Sequence, residues 1–213
     1  VLKELPPKTE NLHRIELDEQ QRKLYLAAVV DAREKLRAAK PEDKMAVFAV
    51  LMRLREICCD PRLVADNWDG GSAKLDACME LVTAAVEGGH RILLFSQFTS
   101  MLELLAKRLD EAGVSHFTLQ GSTPKPVRAE LVRRFNSGEA DVFLISLRAG
   151  GTGLNLTAAD IVIHYDPWWN VAAQNQATDR AYRIGQRNPV QVYKLIAQDT
   201  IEEKIVELQQ AKQ

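Results

Sequence analysis

Long hydrophobic runs are missing from this 213-residue sequence. No apolar stretch approaches the roughly 18 residues that a membrane-spanning helix requires, so we expect no membrane partner. The first residues, Val-Leu-Lys-Glu-Leu-Pro-Pro, lack the apolar core of a signal peptide. A starting methionine is also missing, and we therefore expect the sequence to be a piece of a longer protein.

Cysteine is scarce, and charges of the two signs nearly balance. The three cysteines are Cys58, Cys59 and Cys78, and no pair has the CxxC spacing. Adjacent cysteines rarely bridge each other, so we expect reduced thiols, and the four histidines show no zinc-binding spacing. With 28 basic against 29 acidic residues, any attraction to nucleic acid must come from a local patch.

A lysine-bearing phosphate loop, a common means of gripping a nucleotide, is missing too. The sequence instead has two regions of different character. Residues up to about 67 are charged and have helical periodicity, and the turn-rich residues 66–71 mark the best candidate boundary. We predict an N-terminal segment with a helical insertion over residues 1–71, an α/β domain over 72–199 and a closing helix over 200–213.

From Ser72 onward, short apolar runs alternate with amphipathic helical patterns. This alternation predicts an α/β fold with a mostly parallel sheet flanked by helices. The predicted strands are residues 91–95, 116–119, 141–145, 161–165 and 190–196, with helices over 101–111, 127–136 and 170–184 and from residue 200. Ligands gather at the carboxyl ends of such strands, which directs attention to the loops after Phe95, Leu119, Ile145 and Tyr165.

The loop that follows the third predicted strand is rich in glycine. It reads Ser-Leu-Arg-Ala-Gly-Gly-Thr-Gly-Leu-Asn-Leu over residues 146–156. Gly150, Gly151 and Gly153 permit positive φ and a close backbone approach, so successive N–H groups can converge on an anion, with Ser146 and Arg148 as further donors. The alternative is a plain strand-to-helix connection that uses its glycines only for turning.

The predicted helix over residues 170–184 carries two arginines. Gln176, Arg180 and Arg183 have i, i+4 and i+7 spacing, which places them on one helix face, and arginine suits phosphate because of its rigid fork of donors. We expect both guanidinium groups to face solvent. The alternative is an ordinary i, i+4 ion pair between Asp179 and Arg183.

Aromatic and small polar residues follow three other predicted strands. Asp-Pro-Trp-Trp-Asn over residues 166–170 contains Trp169, which we expect to be exposed and able to stack on bases, and Trp168, which we expect to pack inward. Ser96-Gln97 and the loop around Gly121 offer groups that can bond phosphate oxygens. Taken singly, each is an ordinary loop or core residue.

Together these residues resemble the Swi/Snf-type helicase-like ATPases, a branch of the superfamily-two DNA translocases. The resemblance spans nearly the whole chain, from Leu-Pro-Pro-Lys at residues 5–8 to Thr-Ile-Glu-Glu-Lys at residues 200–204. Its most specific string is Gln-Ala-Thr-Asp-Arg-Ala-Tyr-Arg-Ile-Gly-Gln over residues 176–186. The resemblance implies the second of two RecA-like lobes, with a helical insertion on its N-terminal side and a closing helix that braces the lobes.

The resemblance also implies a role for each matching residue. Arg180 and Arg183 would reach the γ-phosphate of an ATP held, with Mg, mainly by an N-terminal lobe. Gln176 would help to shape that surface, while Gly153 and Asn155 would couple the nucleotide state to DNA. The residues that would contact DNA are Ser96, Gln97, Gly121, Ser146, Arg148, Gly150, Gly151 and Trp169.

The expected partners are double-stranded DNA, the N-terminal RecA-like lobe of the same protein and a DNA-bound protein target. The expected location is cytoplasmic and nucleoid-associated in a bacterium or archaeon, and nuclear in a eukaryote. This chain alone is expected to hydrolyse almost no ATP. Two alternatives remain open: a lobe of an RNA helicase, and a non-catalytic binding or scaffold module.

Overall fold

A six-stranded parallel sheet forms the centre of the computed structural model, which describes residues 4–146 and 154–212. The strands are β1 (Lys8–Ile15), β2 (Ile92–Ser96), β3 (His116–Leu119), β4 (Val142–Ser146), β5 (Ile161–His164) and β6 (Val190–Ala197). Their order in the sheet is β1-β6-β5-β2-β4-β3, and every pairing is parallel. The predicted α/β class with helices around a parallel sheet is therefore confirmed.

Seven α-helices are found in the described ranges. They are α1 (Glu19–Ala38), α2 (Lys44–Cys59), α3 (Ala73–Glu87), α4 (Thr99–Glu111), α5 (Lys125–Asn136), α6 (Val171–Asp179) and α7 (Ile201–Ala211), with a short 3-10 turn at Pro61–Leu63. Asp18, Ser72 and Thr200 cap α1, α3 and α7, since the side chain of each accepts a hydrogen bond from a backbone N–H in the first turn. None of the described helices is both long and apolar enough to cross a bilayer.

Two hydrophobic clusters pack on opposite faces of the sheet. Successive strand residues point to opposite faces, so Leu94 of β2 joins a cluster with α3 and α4, while its neighbours Leu93 and Phe95 join a second cluster that includes Ala177 of α6. Each fully buried Leu or Phe side chain contributes about 1.5–3 kcal/mol to the stability of the fold, so the two clusters hold the strand ends firmly in place.

A third hydrophobic cluster attaches the α1–α2 hairpin to the sheet. It includes Tyr25 of α1, Leu54 and Ile57 of α2 and Ala197 at the end of β6. The Tyr25 hydroxyl also accepts a hydrogen bond of 2.8 Å from the backbone N–H of Ile201 at the start of α7. The hairpin is thereby joined to α7.

All three cysteines are free and buried, and burial raises the pKa of each thiol.

The N-terminal segment contains a strand that the helical reading of this region missed. β1 pairs with β6 over eight residues, from Lys8 opposite Val190 to Ile15 opposite Ala197. Its sequence, Lys-Thr-Glu-Asn-Leu-His-Arg-Ile, is charged because β1 is an edge strand whose side chains are mostly exposed, so it lacks the apolar alternation of a half-buried strand. The division at residues 71 and 199 stays a prediction.

Candidate functional site

The carboxyl ends of the strands meet at one edge of the sheet, as expected for parallel pairing. Ser96 and Ser146 are register partners at the ends of β2 and β4, and Phe95 pairs with His164 of β5. The loop that begins beyond Ser146 is the predicted anion cradle. Its residues Arg148, Gly150, Gly151 and Gly153 lie outside the described residues, so their roles stay predictions.

Ser96 is buried and its hydroxyl is engaged inside the protein. The Ser96 Oγ donates to Asp166 Oδ1 at 2.5 Å and accepts from the Phe98 N–H at 3.1 Å. Burial raises the pKa of the Asp166 carboxyl, and the bond from Ser96 opposes that shift. A hydroxyl contact between Ser96 and a DNA phosphate stays a prediction that this arrangement does not favour.

Ser146 is also buried, but its hydroxyl differs from that of Ser96. Its Oγ has no hydrogen-bond partner within the described part of the chain. A buried hydroxyl without a partner costs about 1–3 kcal/mol, so this atom has unused bonding capacity beside the predicted cradle.

Gln97 and Gly121 lie nearer the surface at the same edge. The half-buried Gln97 side chain donates from Nε2 to the Pro167 carbonyl at 2.8 Å. Gly121 is exposed, and its carbonyl accepts from Arg128 Nη2 at 3.0 Å. Arg128 also donates from Nε to the Thr123 carbonyl, so this arginine fastens the loop after β3 to α5.

The two tryptophans are placed as predicted. Trp168 is only 2% exposed and meets Phe95 edge-to-face, with ring centroids 6.2 Å apart. Trp169 is 41% exposed and precedes Asn170, whose side chain caps α6 by accepting from the Ala173 N–H. The exposed ring therefore stands at the carboxyl edge of β5.

The helix predicted over residues 170–184 is shorter than expected. α6 ends at Asp179, so the prediction that Gln176, Arg180 and Arg183 share one helix face is wrong. The Arg180 carbonyl accepts from the Leu156 N–H at 2.9 Å, and the Gln186 side chain donates to the Ala181 carbonyl at 2.9 Å. These tertiary bonds take the carbonyls that a continuing helix would use, which sequence periodicity does not reveal.

Arg180 is largely buried, contrary to the expectation that it faces solvent. It is 9% exposed, and its guanidinium carbon lies 5.6 Å from the ring centroid of Phe95. Its Nη1 is buried without a hydrogen-bond partner among the described residues. Burial lowers the pKa of Arg180, and the nearby positive charge of Arg183 lowers it further.

Arg183 is half-buried and lies on the turn after α6. Its Nη1 donates to the Leu154 carbonyl at 3.2 Å, next to the exposed Asn155. The alternative ion pair with Asp179 does not form, and no carboxylate of residues 4–146 or 154–212 forms an ion pair with Arg180 or Arg183. Two adjacent guanidinium groups thus lack a negative partner, while Gln176 is exposed on the preceding helix.

A network of buried charges was not foreseen from the sequence. Lys74 of α3 and Glu202 of α7 form an ion pair in which both side chains are fully buried, and Arg55 of α2 is 2% exposed. Lys74, Cys78 and Val82 have i, i+4, i+8 spacing, which puts a lysine on the buried stripe of α3. That spacing was the available signal.

Comparison with known proteins places the chain among the helicases. Residues 73–185, just over half the chain, match the helicase conserved C-terminal domain, and residues 1–63 match the SNF2-related domain. A protein described as an uncharacterized ATP-dependent helicase of Mycoplasma pneumoniae is 38% identical, and the match covers 100% of this chain and 21% of that protein.

A mammalian relative and a solved structure agree with this placement. The SWI/SNF-related matrix-associated actin-dependent regulator of chromatin subfamily A member 1 of Mus musculus is 38% identical over 97% of this chain and 21% of that protein. The Sulfolobus solfataricus SWI2/SNF2 ATPase core in complex with dsDNA matches with a TM-score of 0.84 and 31% identity, over 99% of this chain and 45% of that one.

The parallel sheet and the match over residues 73–185 identify the C-terminal, RecA-like lobe of a helicase-type protein. Within that class, the chain belongs to the Swi/Snf-type helicase-like family. It spans about a fifth of the length of the curated relatives that it matches.

Proposed function

We propose that this chain is the C-terminal motor lobe of an ATP-dependent translocase that moves along double-stranded DNA. An N-terminal lobe of the same protein supplies most of the contacts to ATP and Mg. Arg180 and Arg183 complete the site when the two lobes close. The observation that carries this proposal is the pair of neighbouring guanidinium groups without a carboxylate partner.

The charge arrangement at this turn supports an anion site. Burying a positive charge costs several kcal/mol unless an opposite charge or hydrogen bonds compensate it. Among the described residues Arg180 has neither at Nη1, and Arg183 beside it raises the cost through like-charge repulsion. A phosphate group would relieve both, because its oxygens accept the free N–H groups and its charge opposes both cations.

Closure of the lobes gives the arginines a catalytic effect. Negative charge on the transferring γ-phosphoryl group is stabilised only when both guanidinium groups reach it. An arginine that acts in this way raises turnover by about 10³–10⁵. Gln176 helps to shape this surface. Asn155 follows Leu154, whose carbonyl accepts from Arg183. Together with Gly153 of the predicted cradle, Asn155 couples the nucleotide state to DNA.

The carboxyl edge of the sheet is the proposed surface for the DNA backbone. Gln97, Gly121 and Trp169 are accessible there, and the charged loop residue Arg148 belongs to the same edge by sequence. Ser146, Gly150, Gly151 and the buried Ser96 complete the proposed set. The related Sulfolobus protein solved in complex with dsDNA supports duplex DNA as the partner.

Stimulation of ATP hydrolysis tests the proposed function in the intact protein. We expect duplex DNA to raise the rate of hydrolysis far more than duplex or single-stranded RNA of equal length. Stronger stimulation by RNA would favour an RNA helicase, and the absence of hydrolysis with either polymer would favour a non-catalytic module. The 213-residue chain alone is expected to hydrolyse almost no ATP, and full DNA-stimulated activity of that chain would contradict a shared site.

A further inference from the structure

Arg55 of α2 is a buried cation that the proposed ATP site does not use. It is 2% exposed, and no carboxylate in the described part of the chain forms an ion pair with it. Its Nη2 donates to the Pro167 carbonyl at 2.9 Å, its Nη1 contacts the Met52 sulfur at 3.8 Å, and its Nε has no partner there. A buried guanidinium held mainly by one carbonyl requires some other compensation.

Burial raises the pKa of the nearby Asp166 carboxyl and the charge of Arg55 opposes that rise, and two aromatic rings supply further compensation for Arg55. The Arg55 guanidinium carbon lies 5.5 Å from the ring centroid of Phe98 and 6.0 Å from that of Trp169. Both distances lie within the range of a cation–π interaction, which favours the planar, weakly hydrated guanidinium. Arg55 therefore contacts the ring of Trp169, a residue that is 41% exposed at the proposed DNA surface.

The backbone that leads to Trp169 is held by side chains from three parts of the fold. The Pro167 carbonyl accepts from Arg55 and from Gln97, and the Trp168 carbonyl accepts from Gln209 of α7. Among these donors, Arg55 is the one that also contacts the Trp169 ring. It thus fixes both the segment and the side chain at its end.

We propose that Arg55 is a positioning residue that orients the exposed Trp169 ring for its contact with DNA. The inference rests on the proposed function in taking Trp169 as a DNA contact. Through Arg55, the α1–α2 hairpin and the DNA surface become mechanically connected, because Arg55 lies on the hairpin and Trp169 lies at the end of β5. A lysine at position 55 would keep the charge, but it lacks the planar fork that bonds Pro167 and faces both rings.

The exposure of Trp169 tests the positioning directly. The chain has three tryptophans, and in a Trp68→Phe background acrylamide quenching reports mainly Trp169, since Trp168 is buried. We expect Arg55→Lys to raise the quenching constant up to about twofold, because Trp169 is 41% exposed at the outset. Arg53→Lys is the matched control, since Arg53 is exposed on the same helix and should change nothing.

A second variant keeps the test valid if Arg55→Lys folds poorly, as judged by its urea unfolding midpoint. Phe98→Leu removes one of the two rings while it retains apolar volume, and we expect a smaller rise in quenching. An unchanged quenching constant in a folded Arg55→Lys or Phe98→Leu protein would overturn the positioning role.

A double-mutant cycle in the intact protein connects the positioning to DNA. We expect Arg55→Lys to weaken the apparent affinity for duplex DNA about two- to fivefold, as the loss of one cation–π contact implies, and to have no further effect in a Trp169→Ala background. Equal weakening in both backgrounds would overturn the inference. If Trp169→Ala itself leaves the affinity unchanged, the DNA contact in the proposed function fails, which the quenching measurement distinguishes from a failure of positioning.

Discussion

Two of the regions in which the protein buries positive charge treat that charge differently. Between α3 and α7, the Lys74 ammonium is paired with the Glu202 carboxylate, whose Oε1 also accepts from the Ala197 N–H at 2.8 Å. At the turn after α6, the largely buried Arg180 has a second cation, Arg183, as its charged neighbour. The first region pairs its charge within the lobe, although Glu202 Oε2 has no hydrogen-bond partner among the described residues, whereas the second region has no carboxylate partner in that part of the chain.

The difference separates a structural role from a functional one. A matched buried pair links three elements and is complete whenever the lobe is folded. An unmatched pair of cations adds nothing to folding by its charge, and under the proposed function its partner is a phosphate that arrives from outside. On this account, substitutions in the first region reduce stability and substitutions in the second reduce activity.

The largest expected effect comes from Arg183→Ala in the intact protein. We expect DNA-stimulated ATP turnover to fall by about 10³ or more, because the half-buried guanidinium no longer reaches the γ-phosphate. The apparent DNA affinity should remain within about threefold of wild type, since the arginine does not contact DNA. Steady-state hydrolysis and DNA titration measure the two quantities.

Arg187→Ala is the matched control for Arg183→Ala. Arg187 is exposed four residues further on and carries the same charge, so its loss should leave turnover nearly unchanged. Equal losses of turnover and DNA affinity in Arg183→Ala would show that the arginine belongs to the DNA surface instead.

A somewhat smaller effect is expected on the other side of the comparison. Lys74→Met should lower the free energy of unfolding by about 3–5 kcal/mol, because it leaves the Glu202 carboxylate buried without its cation. Urea unfolding of the 213-residue chain measures this. Lys204→Met removes an exposed lysine from the same helix as Glu202 and should cost far less.

A double substitution sharpens the same point. Lys74→Met combined with Glu202→Leu removes both charges, and we expect it to recover most of the lost stability. If the double variant is as unstable as Lys74→Met alone, the loss comes from packing and not from an unmatched charge.

The smallest expected effect concerns His164. Its ring stacks on that of Phe95, with the ring centroids 5.5 Å apart, and the Arg180 guanidinium lies over the same Phe95 ring. Burial, and then the charge of Lys194, lowers the pKa of His164 to about 3. The unfolded chain binds this proton near pH 6.5 and the folded chain does not, so this contribution to stability is present above pH 6.5 and is lost as the pH falls.

Below pH 6, the contribution of His164 to the free energy of unfolding should fall by about 1.4 kcal/mol for each pH unit. It is measured as the difference in slope between wild type and His164→Asn in urea unfolding from pH 6.5 to pH 4. His13→Asn, at an exposed histidine of β1, should retain the wild-type slope. Identical slopes for wild type and His164→Asn would show that this site does not resist protonation.

Much of the fold was accessible from the sequence because apolar periodicity and capping residues are local signals. The buried runs of β2, β4 and β5 are continuous, and Ser72 and Thr200 cap the helices that follow them. β1 was not predicted, because an edge strand with charged side chains is held in the sheet by its backbone hydrogen bonds with β6.

The candidate site was predictable as a set of residues but not as a geometry. α6 ends where two hydrogen bonds take backbone carbonyls, one from the Leu156 N–H to Arg180 and one from the Gln186 side chain to Ala181. Helical periodicity in the sequence reveals neither bond. The burial of Ser96 and Arg180 likewise depends on Asp166 and Phe95 arriving from other strands. Tertiary contacts of this kind leave no local pattern, which also explains why Arg55 was not recognised, whereas Lys74 lies on the buried stripe of α3 and had a local signal.

The most direct test of the unmatched arginines is their preference for a γ-phosphate. The measurement is the affinity of the DNA-bound intact protein for AMP-PNP and for ADP, at constant Mg, in wild type and Arg183→Ala. We predict that wild type binds AMP-PNP more tightly than ADP, and that Arg183→Ala loses this preference while its ADP affinity is unchanged. An undiminished preference in the variant would contradict the account.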